Sequence, residues 1–154
     1  IMITINSDGT VTGGTIKSPG NIIQVANTAE LSTFTCDSTS YEDITDATIT
    51  ITPSSSSSKL LIIWTCYVVN TLKSGYNAKA HYKTLRGSTD VYESSHAAES
   101  GSGGLQIKGT CNHTFVDSPA TASAVTYKVQ TKISHSGADS YTYEGRLMAF
   151  EIAV

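Results

Sequence analysis

The stretch TITPSSSSSKLLIIWTCYVV, residues 50–69, decides how this chain is read. Its serine run is either a flexible linker between two domains or a turn inside one. The apolar run after it would carry Leu60, Ile62, Trp64, Cys66 and Val68 on one face of a strand. Leu61, Ile63, Thr65, Tyr67 and Val69 would lie on the other. A strand apolar on both faces does not suit the solvated side of a lone antiparallel sandwich; its second face needs cover from another layer or another subunit. It reads as a central strand at a subunit interface, with Leu61, Ile63, Tyr67 and Val69 as the interface candidates. Upstream, Ile49 and Ile51 alternate with Thr48, Thr50 and Thr52, the pattern of a half-buried strand wet on one side. That strand has one apolar face and needs the strands beyond the serines to cover it, so a free linker at this point fits poorly. Pro53 ends the first strand and Lys59 opens the second. The segment 53–59 therefore reads as a loop joining neighbouring strands, with a linker as the alternative.

Composition agrees with a single β domain. A chain of 154 residues suits one core better than two. Charged residues are 15% of it, the net charge is −3, and Ser with Thr make up roughly a quarter, well above the usual share. Threonine favours strands and serine favours turns, which points to an all-β fold with a weakly charged surface. With no Lys/Arg cluster there is no footprint for nucleic acid, and no apolar run approaches the ~18 residues of a membrane-spanning helix. The opening IMITINSDG has no mark of a secretory leader, and what precedes Ile1 is left open. Cys36, Cys66 and Cys111 are odd in number and lack CxxC spacing. That argues against a disulfide framework and a zinc site, fits assembly in a reducing cytosol, and suggests small core residues.

Strand-like runs separated by turn chemistry continue along the chain. They are MITI (2–5), TVTGGTI (10–16), NIIQVAN (21–27), ELSTFTC (30–36), ITDATITIT (44–52), the weakly alternating AKAHYKTLRG (78–87), and AVTYKVQTKI (124–133). In the last of these Val125, Tyr127, Val129 and Ile133 oppose Thr126, Lys128, Gln130 and Lys132. A final run, RLMAFEIAV (146–154), is expected to lie inside a sheet. Trp64, set among Leu60, Ile62 and Val68, is expected in the core.

Little in the sequence converges on chemistry. His81, His96, His113 and His135 sit in different segments without metal-ligand spacing. There is no GxSxG, phosphate-binding loop or GxGxxG, and GSGG at 101–104 reads as a loop tip. Asp117 near His113 lies in VDSPA, which has turn chemistry. The NHT sequon at Asn112 matters only in a secreted eukaryotic protein. No catalytic residue, cofactor or metal is expected. Two segments, 70–82 and 89–104, mix aromatics with small flexible residues, a composition suited to adaptable binding loops. Their candidates for receptor contact, through stacking on sugar faces, are Tyr76, His81, Tyr82, Tyr92 and His96.

A resemblance emerges from GNIIQVAN (20–27), YEDITDATITITPSSSSSKLLI (41–62), FVDSPATASAVTYKVQTKI (115–133) and GRLMAFEIAV (145–154). In this order they resemble a domain family of fibre and related virion structural proteins of tailed bacteriophages, cyanophages among them. The resemblance covers residues 19–154 and lapses over 70–110, where receptor specificity would vary. It implies an antiparallel jelly-roll-like β-sandwich head, residues 19–154, behind a short shaft or connector, residues 1–18. It also implies a homotrimer similar in plan to complement-globular and tumour-necrosis-factor-like heads, whose axis would cover the second face of residues 60–69. The corresponding expectation is a non-enzymatic virion protein, assembled in the host cytoplasm and attached to other virion proteins, whose loops recognise a host-surface glycan or protein. A purely structural capsid, head or collar decoration protein is the alternative. A depolymerising tailspike would ordinarily need paired carboxylates on a repetitive scaffold, and no such repeat is present.

Overall fold

The computed structural model describes residues 4–5, 11–12, 19–72, 78–97 and 106–154. Two short strands, β1 (Thr4–Ile5) and β2 (Val11–Thr12), pair antiparallel. The strands that follow are β3 (Ile22–Asn27), β4 (Phe34–Cys36), β5 (Glu42–Ile51), β6 (Lys59–Leu72), β7 (Lys79–Arg86), β8 (Thr89–Ala97), β9 (Gln106–Asp117), β10 (Val125–Ile133) and β11 (Ala138–Ile152).

These strands form two antiparallel sheets. One runs β3-β11-β6-β9, with β4 also paired to β11; the other runs β5-β10-β7-β8. With β1, β2 and β4 set aside, the first sheet takes the first, eighth, third and sixth strands, and the second takes the second, seventh, fourth and fifth. That is the strand order of a jelly roll. The expected all-β, antiparallel jelly-roll sandwich is the fold of this chain.

Alternation builds the core between the sheets. Ile44, Ile49 and Ile51 of β5, Tyr127 and Val129 of β10 and Tyr82 of β7 pack against Leu60, Ile62, Trp64 and Val68 of β6 and Leu147 of β11. Trp64 is fully buried, as its neighbours in sequence imply. Its ring also dictates a glycine. A Cβ on Gly145 would lie 2.6 Å from the Trp64 Cη2 atom, and beside it Glu144 takes φ 51° where the β11–β6 register shifts. The resulting bulge bends β11 around the indole.

The serine segment is a loop within the sandwich. The backbone N–H and Oγ of Ser54 both donate to Glu151 Oε1 at 2.7 Å, and Ser58 N–H donates to the Ser55 carbonyl at 3.2 Å. Glu151 is fully buried on β11, so these charge-assisted bonds anchor the loop to the body. The loop joins strands of opposite sheets, β5 and β6, whose side chains share one core; it does not join paired neighbours.

The structure has two strands that the residue pattern does not predict: residues 89–97, within the expected binding loop, are β8, and residues 106–117 are β9. Small and polar residues dominate both, and β9 contains Gly109, so neither shows an apolar alternation.

Candidate functional site

The outer surfaces of the two sheets differ in kind. On β6 the outward residues are Leu61, Ile63, Thr65, Tyr67 and Val69, and the pairing register gives Leu61 apolar partners on both sides while Thr65 faces Arg146 and Asn112. Val25, Phe150, Leu61 and Val116 form one row across β3, β11, β6 and β9. Met148 lies beside Ile63, and Ile152 beside Ile22. Ile22, Val25 and Val116 are 57%, 52% and 55% exposed, which makes this a broad apolar surface and not isolated side chains.

Farther along the same face the surface becomes aromatic. Tyr67 and Tyr143 have ring centroids 6.3 Å apart, and Tyr141 stacks on Tyr143 at 6.3 Å. Tyr67, Val69, Tyr143, Gln106, Lys108 and Glu144 line a shallow cleft of about 330 Å³. Leu61, Ile63 and Tyr67 therefore keep exposed surface on this face. Val69 is only 7% exposed, set between Tyr141 and Lys108 on the flanking strands.

The β5-β10-β7-β8 sheet is polar outside. Lys83 and Lys132 hold their ammonium groups 4.3 and 4.5 Å from the centre of the Tyr41 ring, and the Tyr41 hydroxyl donates to Glu93 at 2.5 Å. Asp43 accepts from Lys128 at 3.0 Å and Gln130 at 2.7 Å, which holds its carboxyl below the usual carboxylate range. Desolvation, then the charges of Lys132 and Lys79, lower the His81 pKa against a smaller opposing pull from Glu93.

The receptor candidates do not assemble into one loop surface. Tyr76 lies outside the described residues. Tyr82 is fully buried, with its hydroxyl 3.0 Å from Thr142 Oγ1, because its position on β7 points into the sandwich. Tyr92 and His96 lie on the inward side of β8, although Tyr92 remains 37% exposed. Tyr92 stacks on Phe115 with centroids 5.1 Å apart, and the His96 ring occupies the space over Gly109 where a side chain would stand. Of the described candidates, only His81 stands on the outer polar face, beside Lys132 and Ser95.

At the seam where β8 meets β9, His113 is fully buried. Its Nδ1 lies 2.8 Å from Thr84 Oγ1 and its Nε2 2.7 Å from Ser94 Oγ. Asp117 is engaged elsewhere: Arg86 donates to both its oxygens at 2.7 Å and the Tyr127 hydroxyl donates at 2.5 Å. The two residues thus serve separate hydrogen-bond networks and form no acid–base pair. All three cysteines are buried, and Cys66 lies directly opposite Cys111 across β6 and β9. Among the described residues no cluster of His, Cys, Asp and Glu has the geometry of a metal site.

No family model and no curated protein matches the chain. Among solved structures it is similar to the VP2 subviral particle of infectious bursal disease virus, at 16% identity and TM-score 0.48, over 99% of this chain and 37% of that one. It is also similar to the insecticidal delta-endotoxin Cry8Ea1 of Bacillus thuringiensis, at 12% identity and TM-score 0.45, over 78% and 19%. A third likeness is to dimeric latent PorU of Porphyromonas gingivalis, at 13% and 0.36, over 92% and 14%. The chain thus spans well under half the length of each. None of these likenesses bears on what the chain does, and the jelly-roll order stands on its strand pairing alone.

Proposed function

We propose that this chain is a non-enzymatic virion structural protein, the head of a trimeric bacteriophage tail fibre. In this reading it is assembled in the host cytoplasm and carried on the virion by other virion proteins. The observation that carries the reading is the outer face of the β3-β11-β6-β9 sheet. Its apolar row Val25, Phe150, Leu61 and Val116 crosses four strands with no charge in it. A face of that composition is covered in a functional assembly, and a closed ring of three copies covers it without a foreign partner. The bacteriophage assignment itself rests on the resemblance over residues 19–154.

In such a head the polar sheet faces outward. Host-surface glycan or protein is then met by His81, Tyr41 and the lysines beside it, and three such weak sites gain by avidity. Because 89–97 is a strand of the second sheet, paired with β7, deleting that segment would remove part of the sandwich. His81→Ala with Tyr41→Ala is the sounder test of adsorption. Wild-type adsorption by the double variant would clear this face of a receptor role.

Light scattering on a sizing column tests the assembly. The expected result is a stable species of three times the monomer mass. A monomer at micromolar concentration would overturn the trimer and turn the same face toward a capsid, head or collar component, which is the decoration reading.

A further inference from the structure

We propose that Cys66 and Cys111 are a modification site, in which a hydroperoxide converts the two thiols into an intramolecular disulfide tying the edge strand β9 to β6. The pair stands in direct register across antiparallel strands, and both thiols are buried. Directly opposed residues in such a ladder have Cα atoms about 4.5 or 5.5 Å apart, and a disulfide accepts about 4.4–6.8 Å, so no strand must move.

The surroundings divide the roles. Cys111 shares a hydrogen bond with Cys66 that favours its thiolate, and His113 and Ser94 add to this against the cost of burial; Ser94 Oγ lies 3.6 Å from its sulfur. The same shared bond, followed by burial, raises Cys66. His113 itself is held between Thr84 and Ser94. Cys111 also lies on the edge strand, at 5% exposure and two residues from His113, whose ring packs 4.7 Å from that of Tyr92, itself 37% exposed at the seam. The proposal requires a small oxidant to enter at this seam.

Cys36 is the internal contrast. Burial pushes its thiol up to about 12 despite the bond it donates to the Ser38 carbonyl at 3.7 Å, with Glu42 adding to the rise. It has no cysteine opposite it: its partner on β11 is Ser140.

The chemistry balances with one peroxide. The Cys111 thiolate attacks a peroxide oxygen, the O–O bond breaks, and the leaving oxygen departs as hydroxide or alkoxide, leaving a sulfenic acid. The Cys66 sulfur, giving up its proton, then attacks the Cys111 sulfur. The S–O bond breaks and water leaves. Two thiols are oxidised and the O–O bond is reduced.

The test uses the intact protein, first reduced and then exposed to hydrogen peroxide, with thiols counted after denaturation and the peptides mapped. The three free thiols should fall to one, the survivor being Cys36, with a cross-linked peptide joining the segments around 66 and 111. Adding a dithiol reductant should restore all three. In Cys66→Ser, and in Cys66→Ala should the serine variant fold poorly, Cys111 should instead be trapped as a sulfenic acid by a dimedone probe. Cys36→Ser should cross-link like the parent. The proposal fails if three thiols survive peroxide that oxidises an unstructured cysteine peptide. It fails equally if Cys36 reacts as fast as Cys111, or if Cys111 proceeds to sulfinic acid while Cys66 stays free.

Discussion

The outer faces of the two sheets were built from the same kind of strand and ended differently. On the β5-β10-β7-β8 sheet the inward apolar residues alternate with polar ones outside, threonines, lysines and acids with Gln130, His81 and Ser95. Thr50 pairs with Thr126 at 2.9 Å, and Lys128 with Asp43 at 2.9 Å. On the β3-β11-β6-β9 sheet the inward row Leu60, Ile62 and Trp64 is answered outside by Leu61 and Ile63, flanked by Phe150 and Val116. One sandwich core explains the first sheet completely. It explains only half of the second, and the excess apolar surface is what the proposed assembly would cover.

Four substitutions, with Thr50→Asp as the control for the first, probe that difference from the largest expected effect to the smallest. Leu61→Asp places a charge in the middle of the apolar row. It should cost about 2 kcal/mol or more at each subunit contact and reduce the light-scattering mass to that of a monomer. Thr50→Asp, the matching change on the polar face, should leave the mass alone; if both variants dissociate, the two faces do not differ as described. Gly145→Ala drives a methyl into the Trp64 ring and should cost about 1–3 kcal/mol by denaturant unfolding. Because the bulge at 144–145 shapes the tyrosine end of the apolar sheet, this variant should also weaken assembly at low protein concentration.

Tyr82→Phe tests the buried reading of a residue that composition assigned to the surface. Removing its hydroxyl leaves Thr142 without that partner, at a cost of about 1–2 kcal/mol in unfolding free energy. A change within error would return Tyr82 to the solvent. Asp43 gives the smallest effect, because it is exposed and its ion pair is screened. Its carboxyl is held below the unfolded value, so its contribution is complete above about pH 4 and is lost as pH falls through the lower, folded value. Asp43→Asn should remove a few tenths of a kcal/mol of that acid-side slope. In the proposed trimer the polar face takes no part in assembly, so the mass should be unchanged.

How much was legible depended on whether a residue's surroundings are local. The strands with alternation, β5 and β10, were read with their facing residues correct, and β6 was recognised as apolar on both sides. Trp64 was placed in the core by its immediate neighbours. The strands β8 and β9 were not read, because serine, asparagine, lysine and glycine mask their period. That omission displaced Tyr92 and His96 from a supposed loop into the seam. Tyr82 was missed for a related reason: AKAHYKTLRG alternates Ala80, Tyr82 and Thr84 inward, and alanine and threonine do not mark a core face. The facing of Cys66 and Cys111 had no local signal at all, since they lie on strands that meet only through the β6–β9 pairing.

The amino-acid order by itself determined an all-β chain, a serine segment that turns instead of linking, a buried Trp64 and an unsatisfied second face on residues 60–69. Those properties follow from side-chain period and turn chemistry over a few residues. Only the tertiary structure decided that Glu151 anchors the serine loop and that the apolar row spans β3, β11, β6 and β9. It also decided that His113 sits between Thr84 and Ser94, and that two cysteines far apart in the chain share a rung. Each of these depends on strand order and register between distant segments, which hydrogen bonding between backbones sets and no local pattern encodes.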